Sequence, residues 1–226
     1  MRIGIWRWQA AGRKWEAMAW TTGRHIGTVY TKLGMKRRSP GSKRSPRCRS
    51  IRKHAALRDP VIDVGGGASR LVDCLVDTGY RAVTILDLSD AGMNVSKRRL
   101  GPRAGQVRWV TADVTRWNPN QTYALWHDRA VFHFLTTEDD RKAYVTRLLS
   151  ALGDGGKAII MTFAEDGPEK CSGLPVMRYS PTGLIETLEA IAPGALRPVE
   201  AQKHVHLTPK GHEQRFQVSV LEKTGR

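Results

Sequence analysis

Residues 61–70 are Val61-Ile62-Asp63-Val64-Gly65-Gly66-Gly67-Ala68-Ser69-Arg70, a short apolar run with one acid that leads directly into three glycines. A β-branched run of this kind is typical of a strand that is covered on both faces of a sheet. Adjacent glycines allow backbone conformations, and close approach of a ligand, that a Cβ atom would prevent. The stretch therefore predicts a buried strand that turns sharply into a helix, which is where α/β folds hold nucleotide-like ligands.

Alternating strand and helix patterns continue from this stretch to the end of the chain. Strands are predicted at 61–64, 82–87, 107–113, 123–128 and 157–163, and helices at 50–57, 69–78, 89–100, 137–152 and 181–191. Two runs with period-two alternation, 199–207 and 214–221, could close the sheet as an antiparallel pair. The order predicts an α/β, Rossmann-like, doubly wound fold with a mostly parallel seven-stranded sheet and an antiparallel C-terminal strand.

The formal charge of +16 on the 226 residues is unevenly distributed. Residues 1–58 hold 16 Lys and Arg and a single acid, Glu16, whereas residues 59–226 hold 21 Lys and Arg and 20 acids. The tract 35–49 is rich in basic residues, Ser, Pro and Gly, has almost nothing to bury, and is expected to be disordered when free. We therefore predict a basic, disordered or aberrant segment at 1–50 and one folded domain at 51–226.

The cysteines and the hydropathy of the sequence indicate the cellular compartment in which the protein is expected. Cys48, Cys74 and Cys171 have no metal-ligand spacing, and their odd number predicts no disulfide framework. A reducing, cytoplasmic location is the default expectation for such cysteine usage. No apolar run approaches the roughly 20 residues of a membrane span, so no membrane partner is expected.

Four strand-like runs carry acids at or next to their carboxyl ends, namely Asp63, Asp87, Asp113 and Asp128. Because the carboxyl ends of parallel strands meet at one edge of a sheet, these acids are expected to line one crevice. A dinucleotide-binding fingerprint would need a third glycine where Arg70 stands, so NAD is disfavoured. Carboxylates instead suit a ligand that carries cationic and hydroxyl groups.

On these residues the chain resembles the class I S-adenosylmethionine (SAM) dependent methyltransferases, from about residue 61 to residue 163. Asp63, Gly65, Gly66 and Gly67 match the family's first motif, whose backbone lies close to the amino-acid part of SAM. The resemblance implies that SAM is the cofactor. It also implies that Asp63 helps to bind the ammonium group of SAM, directly or through water.

The resemblance extends to the next two strand ends. Asp87, which precedes Leu88, matches the acid that accepts hydrogen bonds from both ribose hydroxyls of SAM. Asp113 and Val114 match the motif in which a carboxylate and a neighbouring backbone N–H bind the adenine edge. These residue types suit a sulfonium cation that also bears an ammonium group and a diol.

His127, Asp128 and Arg129 follow the fourth strand, at the position that faces the sulfonium and the incoming acceptor in this family. The resemblance makes them the candidate catalytic residues, with His127 also a cofactor contact. His127 or His133 could remove a proton from an acceptor. Hydrogen bonding that only holds the loop is an equal alternative for His127 and the favoured one for His133. Methyl transfer needs chiefly alignment of acceptor, methyl group and sulfur, and no metal site is predicted.

Segments 125–135 and 162–175 resemble a largely uncharacterised bacterial branch of methyltransferase-domain proteins, distantly similar to the protein-lysine methyltransferases of the methyltransferase-like group. The resemblance implies a SAM-dependent methyltransferase that acts on a small molecule or a protein side chain. Two alternatives stay open. One is an RNA-binding or RNA-modifying protein that uses its basic N-terminal arm. The other is a SAM-binding remnant whose catalysis is impaired.

The opening of the chain departs from that bacterial branch. The branch normally has a Ser-Trp-Phe-Gln segment that covers the cofactor as a lid, and residues 29–34 and 51–56 resemble its flanks. Codons for an acidic segment ending in Ser-Trp-Phe-Gln, read one nucleotide late, can encode Met-Lys-Arg-Arg-Ser-Pro-Gly-Ser-Lys, which is residues 35–43. We hypothesise that residues 35–50 are an out-of-frame translation of the lid, so that their positive charge has no functional role.

Re-sequencing the gene tests this hypothesis directly. We expect the shifted frame across residues 35–50 to encode the Trp-Phe lid segment. An unambiguous sequence in which no frame encodes that segment would contradict the hypothesis. If the shift is genuine in the organism, SAM affinity measured by calorimetry should be weak, because the cofactor lacks its cover.

Overall fold

The computed structural model describes residues 3–9, 14–20, 46–207 and 213–225. The chain divides into two compact units, Met1–Arg38 with Leu207–His212, and Ser39–His206 with Glu213–Arg226. In the first unit, β1 (Ile3–Gln9) pairs antiparallel with β2 (Lys14–Trp20). Two parts of the predicted basic segment 1–50 therefore form strands. Disorder was predicted for the tract 35–49, and residues 35–45 of that tract lie outside the described residues.

One seven-stranded sheet forms the framework of the larger unit. Its strands are β3 (Val61–Val64), β4 (Val83–Asp87), β5 (Val107–Thr111), β6 (Tyr123–Arg129), β7 (Leu152–Phe163), β10 (Leu196–Leu207) and β11 (Glu213–Lys223). They lie in the order β10-β11-β7-β6-β3-β4-β5. The five strands from β5 to β7 are parallel, and β11 runs antiparallel to β7. The predicted doubly wound, Rossmann-like sheet with an antiparallel C-terminal strand is confirmed.

Helices connect the strands and cover the sheet. They are α1 (Pro46–His54), α2 (Leu71–Thr78), α3 (Asp90–Leu100), α4 (Glu138–Ala151) and α5 (Pro181–Ile191). Ser89, Thr137 and Ser180 begin α3, α4 and α5, because each side chain accepts a hydrogen bond from a backbone N–H three residues on. Among the described residues, no helix is long and apolar enough to cross a membrane.

The sheet separates two hydrophobic layers, because successive side chains of a strand point to opposite faces. Ile62, Val64 and Trp126 belong to the layer that includes residues of α4 and α5. Val61 and Leu125 belong to the layer that includes residues of α1, α2 and α3. All four residues of β3 are buried, which explains the apolar character of Val61, Ile62 and Val64 and makes the buried acid Asp63 an exception.

The direction of winding reverses at β3. The chain passes from β3 to β4 on one side, and β6 later pairs with β3 on the other side. At such a reversal the connections leave the sheet in opposite directions, and a crevice opens at the carboxyl ends of the strands. The glycine-rich loop after β3 therefore lies at the centre of this edge.

Cys48 of α1 and Cys74 of α2 form a disulfide, so the prediction of no disulfide framework is wrong. The two cysteines are 26 residues apart on separate helices, and only tertiary packing brings them together. Cys171 is free. The predicted helix at 50–57 starts earlier, at Pro46, because Cys48 and Ile51 are buried in the core. The folded part thus includes residues before the predicted boundary at 51.

Two tiny strands, β8 (Lys170–Cys171) and β9 (Leu174–Pro175), pair antiparallel in the segment between β7 and α5. This segment contains several Gly and Pro residues, which are typical of a loop. It returns to the sheet edge, because the backbone N–H of Tyr179 donates to the carbonyl of Phe163 at 3.0 Å. The segment therefore packs beside the carboxyl end of β7.

Reduction of the Cys48–Cys74 disulfide should lower the free energy of unfolding. A cross-link that closes a loop of this length restricts the unfolded chain and contributes about 3 kcal/mol. Urea denaturation of the oxidised protein, with and without dithiothreitol, measures the difference. A variant with both Cys48→Ala and Cys74→Ala should not respond to the reductant. Equal midpoints for the wild type in the two conditions would show that the cross-link contributes nothing.

Candidate functional site

The glycine-rich loop after β3 is shaped by the packing of the protein itself. Gly65 has a φ of +71°, and a Cβ atom at this position would lie 2.3 Å from Cγ2 of Val131. A Cβ atom on Gly66 would lie 2.7 Å from Oδ2 of Asp63. Glycine is therefore required at both positions before any ligand is considered. The positive φ of Gly65 agrees with the predicted need for an unusual backbone conformation, whereas the contacts with Val131 and Asp63 could not be predicted from sequence.

Asp63 and His127 meet inside the sheet. The register of β3 and β6 pairs these two residues, so their side chains lie on the same face. Nδ1 of His127 lies 2.7 Å from Oδ1 of Asp63, and both residues are buried. Because a carboxylate only accepts, the histidine donates from Nδ1. The other oxygen, Oδ2 of Asp63, is buried and has no hydrogen-bond partner among the described residues.

Asp128 lies on the opposite face of β6 and holds the loop that follows. Its carboxylate accepts hydrogen bonds from the backbone N–H of Val131 (2.7 Å) and Phe132 (3.0 Å) and from the hydroxyl of Tyr144 (2.6 Å). Burial raises the pKa of Asp128 to about 6, although these hydrogen bonds oppose the shift. Between strand and loop, Ala130 has a φ of +66°, an uncommon conformation for a residue with a side chain.

The three candidate catalytic residues therefore do not form one cluster. His127 contacts Asp63 on one face, Asp128 contacts Tyr144 on the other, and Arg129 ends the strand half-buried. Alternation along a strand separates neighbouring side chains in this way, and the sequence motif alone did not reveal it. Their catalytic role remains a prediction.

Asp87 ends β4 beside the glycine-rich loop. Its Oδ1 accepts a hydrogen bond from the backbone N–H of Ser89 at 2.7 Å. Burial raises the pKa of Asp87 to about 6, and hydrogen bonds from the backbone N–H groups of Ser89 and Gly67 oppose the shift. The next residue, Leu88, is 39% exposed, so its apolar side chain lies outside the hydrophobic core. A carboxylate and an apolar surface thus lie side by side at this strand end.

Asp113 follows β5, and its strand end is joined to that of Asp87. The backbone N–H of Ala112 donates to the carbonyl of Asp87 at 3.1 Å. Oδ1 of Asp113 accepts hydrogen bonds from the backbone N–H (2.9 Å) and the hydroxyl (2.7 Å) of Thr115. Val114 is only 5% exposed and packs in the core. The predicted cofactor residues lie along one edge of the sheet, and their contacts with a cofactor remain predictions.

Sequence reasoning missed a clamp behind the glycine-rich loop. The hydroxyl of Ser96 donates to the carbonyl of Gly67 at 2.7 Å. Arg99 donates to both oxygens of Asp73 and to the carbonyl of Ser69 at 2.6 Å. Ser96 and Arg99 lie three residues apart on one face of α3, and that spacing is the only local signal. The clamp fixes the backbone of the loop from outside the crevice.

His133 is fully buried, and its Nδ1 lies 3.5 Å from the backbone N–H nitrogen of Phe163. Burial lowers the pKa of His133 to about 3, so its ring is neutral at physiological pH and is a weak base. This geometry favours the hydrogen-bonding interpretation of His133. Across the described residues, no three His, Cys, Asp or Glu side chains are placed to hold a metal ion.

Comparison with known families and proteins gives consistent matches. Residues 61–156 match the family model described as a methyltransferase domain. The chain is similar to the eEF1A lysine and N-terminal methyltransferases of Homo sapiens (25% identical over 125 residues, 52% of this chain) and Danio rerio (27% over 124 residues, 53%). The matched region is 18% of the length of each relative, so the chain corresponds to a small part of those proteins.

Solved structures of methyltransferases share the fold. The Burkholderia thailandensis 1,6-didemethyltoxoflavin-N1-methyltransferase, solved with 1,6-didemethyltoxoflavin and S-adenosylhomocysteine, has a TM-score of 0.66 at 23% identity, over 89% of this chain and 84% of that chain. The N-methyltransferase NodS from Bradyrhizobium japonicum has a TM-score of 0.61 at 15% identity, over 78% and 90% of the two chains. At these identities the likeness concerns the fold alone.

Removing the Tyr144 hydroxyl should destabilise the protein in a pH-dependent way. Tyr144→Phe takes a donor from buried Asp128 and an acceptor from Trp126 Nε1, at a cost of about 1–3 kcal/mol. Without this hydrogen bond, the pKa of Asp128 in the folded protein should rise further above its value in the unfolded chain. The folded protein then loses stability as the pH rises, because ionising Asp128 costs more in the folded state than in the unfolded state. Urea denaturation should therefore show a larger deficit at pH 7.5 than at pH 5.

Tyr80→Phe is the matched control for this variant. The Tyr80 hydroxyl donates to the carbonyl of Ala55 at 2.9 Å and is also buried. Its deficit should be the same at both pH values, because the bond involves no carboxyl group. An equal response of the two variants to pH would show that Tyr144 does not stabilise the ionised form of Asp128.

Proposed function

We propose that this chain, whose residues 61–156 match a methyltransferase domain, is a SAM-dependent methyltransferase of class EC 2.1.1. The acceptor is proposed to be a small molecule or a protein side chain. One observation carries the proposal: Oδ2 of Asp63 is buried beside the glycine-rich loop and has no hydrogen-bond partner among the described residues. A buried carboxyl oxygen without a partner is costly inside a protein, and a cationic ligand group at this place would satisfy it.

The residues at the sheet edge fit SAM in chemistry and order. Asp63 would hold the ammonium group, while His127 fixes the orientation of the Asp63 carboxylate through its 2.7 Å hydrogen bond. Asp87 would accept hydrogen bonds from the ribose hydroxyls, and exposed Leu88 offers an apolar contact beside it. Asp113 would bind the adenine edge, with the backbone of Val114. When bound, SAM supplies a methyl group that is activated by the sulfonium charge.

The chain's own contribution to the reaction is mainly positioning. Ser96 and Arg99 hold the glycine-rich loop from behind, and Asp128 holds the loop after β6 through Val131 and Phe132. With a pKa near 3, His133 is a poor proton acceptor. The His127 ring is engaged with Asp63, so we propose that it orients the cofactor acid. An acceptor that is neutral before attack needs no strong base.

A cytoplasmic location is part of the proposal and rests on the default expectation for a chain with three cysteines. The Cys48–Cys74 disulfide weighs against it, because cytosolic reductants keep such pairs reduced. The alternative of an RNA-binding protein finds no support in the contacts of the described residues or in the relatives reported above. A SAM-binding remnant remains the second candidate, favoured if SAM binds and no acceptor gains a methyl group.

SAM affinity should depend on the ionisation of Asp87. If only the carboxylate accepts from the ribose hydroxyls, affinity falls by roughly tenfold per pH unit below about 6, because the competent fraction falls. Isothermal titration calorimetry at pH 5, 6 and 7 measures this dependence. Asp87→Asn should bind more weakly at pH 7 and lose the pH dependence. Pairing each titration with NAD tests the choice of cofactor, and we expect no NAD binding.

Asp77→Asn provides the matched control, because Asp77 lies on α2 and forms an ion pair with Arg103 away from the strand ends. It should keep wild-type SAM affinity and the same pH profile. Tight NAD binding, or SAM binding that Asp87→Asn leaves unchanged, would count against the proposed cofactor site.

A further inference from the structure

Two buried polar atoms near the carboxyl end of β7 lack partners. Nε2 of His133 and the hydroxyl of Tyr179 have no hydrogen-bond partner among the described residues. The two residues are 0% and 5% exposed. Buried donors and acceptors are almost always satisfied, so each such atom calls for a specific explanation. Neither is used by the cofactor site described above.

Phe163, the last residue of β7, brings these two residues together. Its backbone N–H points to Nδ1 of His133 (3.5 Å), and its carbonyl accepts from the backbone N–H of Tyr179 (3.0 Å). The N–H and C=O of one strand residue point to the same side of the strand. The neighbouring N–H of Ala164 donates to Arg215 on the β11 side, so Phe163 faces the β6 side. The backbone N–H of Met177 donates to the carbonyl of His133 at 2.8 Å and closes the cluster.

The cluster adjoins the crevice that holds the predicted cofactor residues. Val131, two residues before His133, lies close to Gly65. A Cβ atom built on Gly65 would be 2.3 Å from Cγ2 of Val131. Cys171 packs with Phe163 in one small apolar cluster. The loop after β6 thus connects the glycine-rich loop to the His133–Tyr179 cluster, so the cluster lies next to the proposed SAM site.

The hydrogen-bonding character of the cluster follows from its contacts. Because Nδ1 of His133 accepts, the ring proton lies on Nε2, which is therefore a donor. Burial lowers the pKa of His133 to about 3 and raises the pKa of Tyr179, so both side chains are neutral at physiological pH. The cluster offers one N–H donor and one hydroxyl that can donate or accept.

The surroundings are aromatic and carry no free carboxylate among the described residues. Phe132 lies 5.6 Å from the Tyr179 ring, and Phe134 and Phe163 lie 4.5 and 5.0 Å from the His133 ring, between centroids. The acids that follow β7 are already paired, Glu165 with Lys203 at 2.8 Å and Asp166 with Arg215 at 2.7 Å. An apolar site with a few polar groups is typical of a small-molecule site.

We propose that Nε2–H of His133 and the hydroxyl of Tyr179 form the acceptor subsite, and that the acceptor is an uncharged molecule with a carbonyl oxygen. This inference rests on the proposed function and narrows its acceptor. A carbonyl oxygen has two lone pairs, so it has the capacity to accept one hydrogen bond from each group. A lysine ammonium group has no lone pair to accept a hydrogen bond from Nε2–H. The Asp128 carboxylate, which bonds the backbone N–H of Phe132, is already engaged and is not available to balance a lysine charge.

The test uses two probes on the full chain saturated with S-adenosylhomocysteine. 2-Pyridone is uncharged and carries a ring carbonyl, whereas butylammonium represents the end of a lysine side chain. Titrations by ligand-observed NMR should show binding of 2-pyridone and none of butylammonium. Tyr179→Phe and His133→Asn should each weaken 2-pyridone by roughly three- to tenfold, as expected for one lost hydrogen bond. The amide introduced by His133→Asn keeps an oxygen that can accept from the N–H of Phe163.

Stability measurements separate a binding role from a structural role. Tyr179→Phe should keep or raise the melting temperature, because the hydroxyl it removes has no partner among the described residues. Tyr80→Phe should lower the melting temperature, since it loses the bond to Ala55, yet keep wild-type affinity for 2-pyridone. A marked loss of stability in Tyr179→Phe would show that the hydroxyl is bonded within the fold and would overturn the inference.

Other outcomes distinguish this inference from the proposed function. Wild-type protein that binds S-adenosylhomocysteine but not 2-pyridone, or prefers butylammonium, overturns the acceptor subsite and leaves the methyltransferase proposal intact. Unchanged 2-pyridone affinity in both variants does the same. Failure to bind S-adenosylhomocysteine in calorimetry overturns the proposed function, and titration of 2-pyridone alone still decides whether His133 and Tyr179 bind a carbonyl group.

Discussion

The buried hydrogen bond between Asp63 and His127 joins β3 to β6 at the point where the winding of the sheet reverses. It holds one carboxylate oxygen inside the protein and leaves the other, among the described residues, without a partner beside the glycine-rich loop. The glycines are then constrained in turn, since a side chain on Gly66 would collide with that second oxygen. The position of the loop, and with it any ligand that the loop can hold, depends on this bond.

The side chains on the two faces of β6 contact different layers of helices. His127 points to the layer of α1, α2 and α3, whose Ser96 and Arg99 secure the glycine-rich loop. Asp128 points to the layer of α4 and α5, where Tyr144 and the backbone N–H groups of Val131 and Phe132 engage its carboxylate. One strand thereby fixes the glycine-rich loop through one face and the loop after β6 through the other. A fold shared by many enzymes acquires its specificity in such loops.

Much of the fold could be predicted from sequence because its signals are local. β3 spans Val61–Val64, as its β-branched run predicts, and α5 spans Pro181–Ile191, where Ser180 and Pro181 provide the start. The pairing of Cys48 with Cys74 and the contact of Tyr144 with Asp128 could not be predicted. Their partners lie 26 and 16 residues apart on different elements, so no spacing rule connects them.

The sequence by itself determined the alternation of strands and helices, the acids Asp63, Asp87 and Asp113 at strand ends, and the resemblance to methyltransferases. Each of these features depends on residues that are close together in the chain. Only the tertiary structure decided which of these groups are free to act. It paired His127 with Asp63, buried Asp128 against Tyr144, and left His133 and Tyr179, within the described part of the chain, unsatisfied at the end of β7. Burial and hydrogen bonding are properties of the assembled sheet, since they depend on which residues distant in the chain become neighbours.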